Sequence, residues 1–301
     1  MLFPNGEFSL GLSMSVKPHK PPESSSERER SGKPQTTYSK KMVRNCVAYL
    51  ERTHGKHNLA FATYTVPELP EADMVHLRTN WGEVCKQLMQ MIGRDQERAG
   101  IKPEYVYVVE PQKERYEKTG VIVPHIHAVF QSRKNRYSPY AISKERNTQL
   151  WNRALSNVLG REILAPYGAQ IDKVKKSAER YMSKYMSKGA DIAQNLIDDG
   201  HRNALPKQWW GASYSLRNWV KDNCKLLAES TKDYIRQNWR AIQDNLEQSP
   251  FSWFYVHYIQ LMEPHGEETK IPIAIVGKVK PDWMSAMETR TLDDAVMSWE
   301  W

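Results

Sequence analysis

His125 and His127 flank Ile126 in the stretch VIVPHIHAVFQ, residues 121–131. Its β-branched and apolar residues read as a strand. Strand side chains alternate, so both imidazoles share one face while Ile126, Ala128 and Phe130 take the other. Two imidazoles so placed can hold one divalent ion. Glu110 closes the preceding strand-like stretch, YVYVVE at 105–110. A hairpin returns it beside the histidines as a third ligand, with Gln112 as second choice. Such a set leaves positions open for a phosphate oxygen and a water. A His-x-His pair alone is also what two structural histidines look like, so the reading needs a second element.

The stretch YMSKYMSKG at 181–189 supplies one. On a helix, Tyr181 and Tyr185 lie about 40° apart, with Lys184 and Lys188 flanking them on the same side. Met182 and Met186 lie on an adjacent face that can anchor the helix. A phenol is a weak nucleophile at neutral pH, and nearby positive charge favours the phenolate. Attack on a phosphodiester exchanges it for a phosphotyrosine bond of similar energy, so the break needs no nucleotide hydrolysis and can be resealed. The plainer alternative is a Tyr and Met stripe that packs a core while the lysines snorkel.

Basic residues surround these two stretches. Arg133, Lys134, Arg136, Lys144, Arg146, Arg153 and Arg161 face Glu145 alone between 131 and 161, and Lys173, Lys175, Lys176 and Arg180 precede Tyr181. Arg133, Lys134, Arg136, Lys173, Lys175, Lys176 and Arg180 are the candidate phosphate contacts. Tyr137, Tyr140 and Trp151 are candidate stacking partners for unpaired bases.

Periodicity defines the elements that must position these groups. Residues 38–54 read as a helix with Met42, Val43, Cys46, Val47 and Leu50 on one side. Leu59 to Val66 reads as a strand ended by Pro67. A helical pattern runs through 71–99 and stops at Gly100. After the strand at 105–110, the polar stretch PQKERYEKTG reads as a loop. Residues 142–159 fit a helix, 167–174 a strand, and 175–188 a helix ended by Gly189 in the left-handed cap position. Residues 209–248 look mainly helical, and 253–262 with 270–276 look like a hairpin. The expected fold is α+β: a central antiparallel sheet of ferredoxin or RRM-like type flanked by helices, with a mostly helical C-terminal extension. The expected domains are a flexible arm at 1–37, rich in Pro, Ser, Lys and Glu, a catalytic domain at 38–190, and a C-terminal region at 191–301.

Composition bounds the partners. The 301 residues carry 43 Lys and Arg against 35 Asp and Glu, a formal charge of +8 that favours a polyanion. Cys46, Cys85 and Cys224 are too far apart for a zinc finger and odd in number, so free thiols in a reducing cytoplasm are expected. The N-terminus does not read as a signal peptide, and no apolar run approaches membrane-helix length. No GxxxxGK[ST] stretch occurs, so unwinding is expected from another protein.

Taken in order, the strand FATYTVP with Thr63 and Thr65, then PHIHAVF, then YMSKYMSKG resemble the successive motifs of HUH endonucleases. The paired tyrosines resemble the two-tyrosine branch, which includes rolling-circle replication initiators of small plasmids and single-stranded DNA phages, and some transposases. The resemblance covers residues 58–190. It implies a catalytic Mg²⁺ or Mn²⁺ on His125 and His127 with an acid such as Glu110. It implies Tyr181 and Tyr185 as nucleophiles, with Lys184 or Lys188 assisting. The implied activity is nicking of single-stranded DNA at a replication origin, giving a 5′-phosphotyrosine and a free 3′-OH, with a host helicase and polymerase as partners. A transposase or mobilisation relaxase of the same chemistry, and a non-catalytic RRM-like binding module, stay open as alternatives.

Overall fold

A computed structural model describes residues 2–11, 37–119, 122, 124–175, 177–198, 205, 208–224, 227, 229–262 and 268–280. The chain forms two compact units, one of residues 1–26 with 220–301 and one of residues 27–219. The elements in order are β1 (Glu7–Gly11), α1 (Thr37–His54), β2 (Leu59–Thr65), α2 (Glu71–Thr79), α3 (Trp81–Arg98), β3 (Tyr105–Pro111), α4 (Lys113–Thr119) and β4 (Pro124–Gln131). They continue with α5 (Lys144–Leu159), β5 (Ala169–Lys173), α6 (Ala178–Asp198), β6 (Trp210–Ala212), α7 (Tyr214–Asp222), α8 (Glu229–Asp244), β7 (Phe251–Met262) and β8 (Glu268–Val279).

The central unit is built on a five-stranded sheet in the order β5-β2-β4-β3-β6, and every pairing is antiparallel. One face meets α2, α3 and α5. Ala62 and Tyr64 of β2, Ile126, Ala128 and Phe130 of β4, and Tyr107 and Val109 of β3 pack there with Trp81, Leu88 and Trp151. The opposite face meets α1 and α6. The fold is thus α+β with an antiparallel sheet between helices, as the order of strands and helices along the sequence suggests.

Four local readings change. The helical pattern at 71–99 is two helices, because the Asn80 side chain donates back to His76 O and the chain restarts at Trp81. The polar stretch after β3 holds the short helix α4, fixed by Arg115, which donates to Val66 O and Pro67 O at 2.7 and 2.9 Å. Gly189 does not stop α6, which runs on to Asp198. A Cβ there would lie 3.3 Å from Val109 O and 3.7 Å from Glu110 Cα, so the glycine lets the helix lie close against β3. Finally, β6 at 210–212 completes the sheet beyond β3, so this unit extends past residue 190 to 219.

The second unit is a three-stranded antiparallel sheet, β1-β8-β7, covered on one face by α8. The hairpin expected near 253–276 is β7 with β8. The N-terminal segment corrects the flexible arm: Phe8 and Leu10 of β1 lie in this core, and Phe8 meets Phe251 and Phe254 at ring separations of 5.2 and 6.3 Å. Gly277 makes room, since a Cβ would stand 2.6 Å from the Phe8 ring. Residues 12–36 of that arm lie outside the described residues.

Cys46 and Cys85 are buried free thiols and Cys224 is a partly buried one. Burial pushes the Cys46 thiol up to about 12, which leaves it unreactive. Among the described residues, no helix is long and apolar enough to cross a membrane.

Candidate active site

The histidine face of β4 sits in mid-sheet. His127 lies opposite Thr63 of β2 and Val108 of β3, and His125 opposite Thr65 and Glu110. Cross-strand register therefore delivers Glu110 to the histidines, as a hairpin return requires. His127 Nε2 donates to Glu110 Oε2 at 2.8 Å. That bond places the proton on Nε2, so Nδ1 accepts from the Thr63 hydroxyl at 3.2 Å. Lys188 from α6 reaches the other carboxylate oxygen, Oε1, at 2.7 Å.

Helix α6 lies over this face with both tyrosines toward it. The Tyr185 ring stacks on the His127 ring, with centroids 3.6 Å apart and planes at 16°. Phe61 of β2 stands 5.2 Å from the Tyr181 ring and 5.8 Å from the Tyr185 ring, and so neighbours both phenols. Met182 and Met186 are buried and anchor the helix. Lys184 holds its ammonium 5.7 Å over the Tyr185 ring. The helix thus has an anchoring methionine face and a tyrosine face turned to the histidines.

Electrostatics refine the sequence reading. Burial, with the neighbouring His127, pushes His125 down to about 4, so its ring is neutral at pH 7. Burial also lowers His127, against the opposing pull of Glu110. Burial alone would raise Glu110, but hydrogen bonds from His127 and Lys188 outweigh it and hold the carboxyl below its usual range. The expectation that lysine charge favours the phenolate fails at Tyr185. Burial, then Glu110 and Tyr181, raise that phenol more than Lys188 lowers it. Burial is the main cause, and Lys188, paired with Glu110, offsets only part of it.

The residues present fit a divalent ion. His125 Nε2 and Gln112 Oε1 are buried without a hydrogen-bond partner, and both residues line an open cleft of about 1080 Å³ with Glu110, His127, Tyr185 and Lys188. Two neutral imidazoles suit zinc, copper, iron or nickel, and with an amide oxygen and a carboxylate the mixed set also accepts Mn²⁺ or Mg²⁺. Among the described residues, no three His, Cys, Asp or Glu side chains are gathered closely enough to grip an ion as they stand. His127 and Glu110 are instead bonded to each other. The unpartnered amide oxygen raises Gln112 to equal standing with Glu110 as third ligand.

The candidate phosphate contacts divide. Arg133 donates to His57 O and Arg136 O and lies over the Tyr140 ring at 5.1 Å, so its guanidinium is tied into the loop. Arg136 covers Tyr137, and Lys173 stands 5.9 Å over Tyr140. Lys134, Lys175 and Arg180 are exposed, and Lys176 lies outside the described residues. The basic run at 131–161 is partly neutralised by tertiary partners, since Arg146 grips Asp95 of α3 and Arg161 pairs with Asp73 of α2. Trp151 is fully buried and donates to Thr65 O at 2.9 Å, so it cannot stack on a base. Sequence reasoning missed Phe61 and Arg115. Phe61 was accessible to it, because alternation puts it on the Thr63 face of β2.

None of the protein-family models, curated proteins or solved structures compared with this chain matches it.

Proposed function

We propose that this protein is a metal-assisted, tyrosine-dependent DNA strand transferase of HUH type that initiates rolling-circle replication. The observation that carries the reading is the convergence of Tyr185, His127, Glu110 and Lys188 from three separate elements on one face of the sheet. A structural Tyr and Met stripe would bury its phenols among apolar groups. Here Tyr181 is 41% exposed and Tyr185 borders an open cleft.

In this reading, His125, His127, and Glu110 or Gln112 would hold Mg²⁺ or Mn²⁺. The bound ion supplies Lewis-acid polarisation of the scissile phosphate. A tyrosine Oη forms a bond to phosphorus as the P–O3′ bond breaks. The phenolic proton passes to the departing 3′ oxygen, leaving a 3′-OH and a 5′-phosphotyrosine. Lys184 and Lys188 offset the charge developing on the phosphoryl oxygens. The second tyrosine, one helical turn away, attacks the regenerated site and frees its 3′-OH. That hydroxyl attacks the first phosphotyrosine, the P–Oη bond breaks, the hydroxyl proton passes to the released phenol, and the displaced strand is closed. Unwinding and synthesis fall to a host helicase and polymerase.

The test is a covalent-adduct assay. Full-length protein is mixed with single-stranded fragments of its own replicon and Mn²⁺, then resolved on a denaturing gel. A shifted band that requires the metal and disappears in Tyr181→Phe/Tyr185→Phe establishes the chemistry. Binding of every fragment with no adduct and no cut, from folded protein, would replace it with a non-catalytic binding module. An adduct with no preference for an origin, but with preference for transposon ends or a transfer origin, would move the protein to a transposase or relaxase.

A further inference from the structure

The loop between β4 and α5 is held by hydrogen bonds and presents two tyrosines to solvent. Asn135 Oδ1 accepts from the amides of Tyr137 and Ser138, both at 3.0 Å. Ala141 N donates to Ser132 O at 2.7 Å and closes the loop, while Ser132 N donates to Asn58 O at 2.8 Å. Arg133 adds its bonds to His57 O. On this pinned frame Tyr137 is 81% exposed and Tyr140 38% exposed. Neither is among the buried core residues, and Tyr137 in particular is left almost uncovered.

Both rings carry cations. The Arg136 guanidinium lies 4.6 Å from the Tyr137 centroid, and Arg133 and Lys173 lie 5.1 and 5.9 Å from that of Tyr140. Aromatic rings for bases with cations for phosphates are the equipment of a single-strand binding surface. The ledge lies around the edge of the sheet from the site. Lys173 pairs with Ala60, whose side chain joins the core on the face opposite Phe61 and the two candidate tyrosines, so a strand running from the cleft to the ledge must wrap around β5. From Thr63, opposite His127, back to Leu59 is about 13 Å of strand. β5 is the edge strand of the sheet, so a chain can pass over it from the cleft to the loop.

We infer that Tyr137 and Tyr140, on a loop pinned by Arg133 and flanked by Arg136 and Lys173, form a stacking ledge for unpaired bases of the DNA strand flanking the scissile phosphate. The inference rests on the strand-transfer reading for the identity of its ligand. A duplex keeps its bases stacked inside, so the ledge selects single strands and tolerates many sequences.

The test separates the two ideas by measuring binding in EDTA, where no chemistry occurs. The full chain is titrated into fluorescein-labelled oligothymidylate, the same oligonucleotide with abasic positions, and a duplex of equal length. Tyr137→Ala and Tyr140→Ala are each expected to weaken single-strand binding about tenfold. Tyr137→Phe and Tyr140→Phe retain it, because the ring rather than the hydroxyl stacks. Abasic positions reduce wild-type affinity and shrink the effect of the Ala variants, and duplex binding is unchanged throughout. Unaltered single-strand affinity in Tyr137→Ala/Tyr140→Ala, with an unchanged melting temperature, overturns the ledge and leaves the strand-transfer reading standing. Ring-dependent binding by a protein that forms no adduct keeps the ledge and removes the strand-transfer reading. An equal loss on duplex and single strand overturns stacking, since it reduces the loop to a patch of charge.

Discussion

The Tyr185 ring lies flat on the His127 ring, 3.6 Å between centroids, whereas Tyr181 leans on Phe61 and is more exposed. The two phenols therefore differ in environment although their local sequences are the same. Tyr185 is the one placed at the histidine pair, so it is expected to make the first cut. Tyr185→Phe keeps the stack and should abolish adduct formation in a single turnover. Tyr181→Phe should form the first adduct and fail in strand closure. Quantifying adduct and closed circle separately checks this. Complete loss of adduct in both single variants would show that the tyrosines do not alternate.

Gln112 presents a buried, unpartnered amide oxygen to the cleft that His125 also faces. If it is a ligand, Gln112→Leu should weaken Mn²⁺ binding about tenfold or more, read by calorimetry or paramagnetic resonance. Single-stranded DNA affinity in EDTA should stay the same. An unchanged Mn²⁺ affinity would return the third position to Glu110 alone.

Gly189 is the contact point at which α6 meets the β3 backbone. A valine would need space that the Val109 carbonyl occupies, and the helix would have to move out. Gly189→Val is expected to cost about 1–3 kcal/mol in urea unfolding. It should also lower adduct yield in protein that remains folded, because Tyr185 and Lys188 ride on the same helix. Gly189→Ala is the graded control.

Glu104 is 1% exposed and accepts from His54 Nε2 at 2.8 Å and Lys102 Nζ at 2.7 Å. Burial alone would raise its carboxyl, but the bonds from His54 and Lys102 prevail, and it titrates below its usual value in the folded chain. A carboxyl depressed by folding adds stability that is present above the unfolded pKa and is lost as pH falls through the folded one. Urea midpoints should therefore drop between about pH 5 and about pH 3. In Glu104→Gln the protein should be less stable at neutral pH by about 1–3 kcal/mol, and part of that acid slope should vanish. An unchanged slope would mean that other carboxyls carry it.

What was legible in the sequence is what a short-range period encodes. Alternation placed both imidazoles on one face of β4, and helical spacing placed Tyr181 and Tyr185 one turn apart. Both follow from backbone geometry that each residue shares with its neighbours. The same reasoning failed at Gly189, because a glycine that ends a helix and one that lets a helix approach a strand look alike until the strand is known. It failed at residues 2–11 because β1 finds its partner, β8, at the far end of the chain. It missed β6 because three residues have no period of their own, and only the open edge of β3 makes them a strand.

The amino-acid sequence by itself determined the inventory of the candidate site: two histidines on one strand face, two tyrosines and two lysines on one helix face, and a carboxylate at a strand end. Only the tertiary structure decided which of these meet. It put Tyr185 on His127, gave Lys188 to Glu110 rather than to a phenol, and left Gln112 and His125 facing the same cleft unpaired. It also buried Trp151 while exposing Tyr137. The physical reason is that local periodicity sets the direction of a side chain, whereas its partner is set by strand register and helix packing. Those depend on apolar surface buried between segments far apart in the chain.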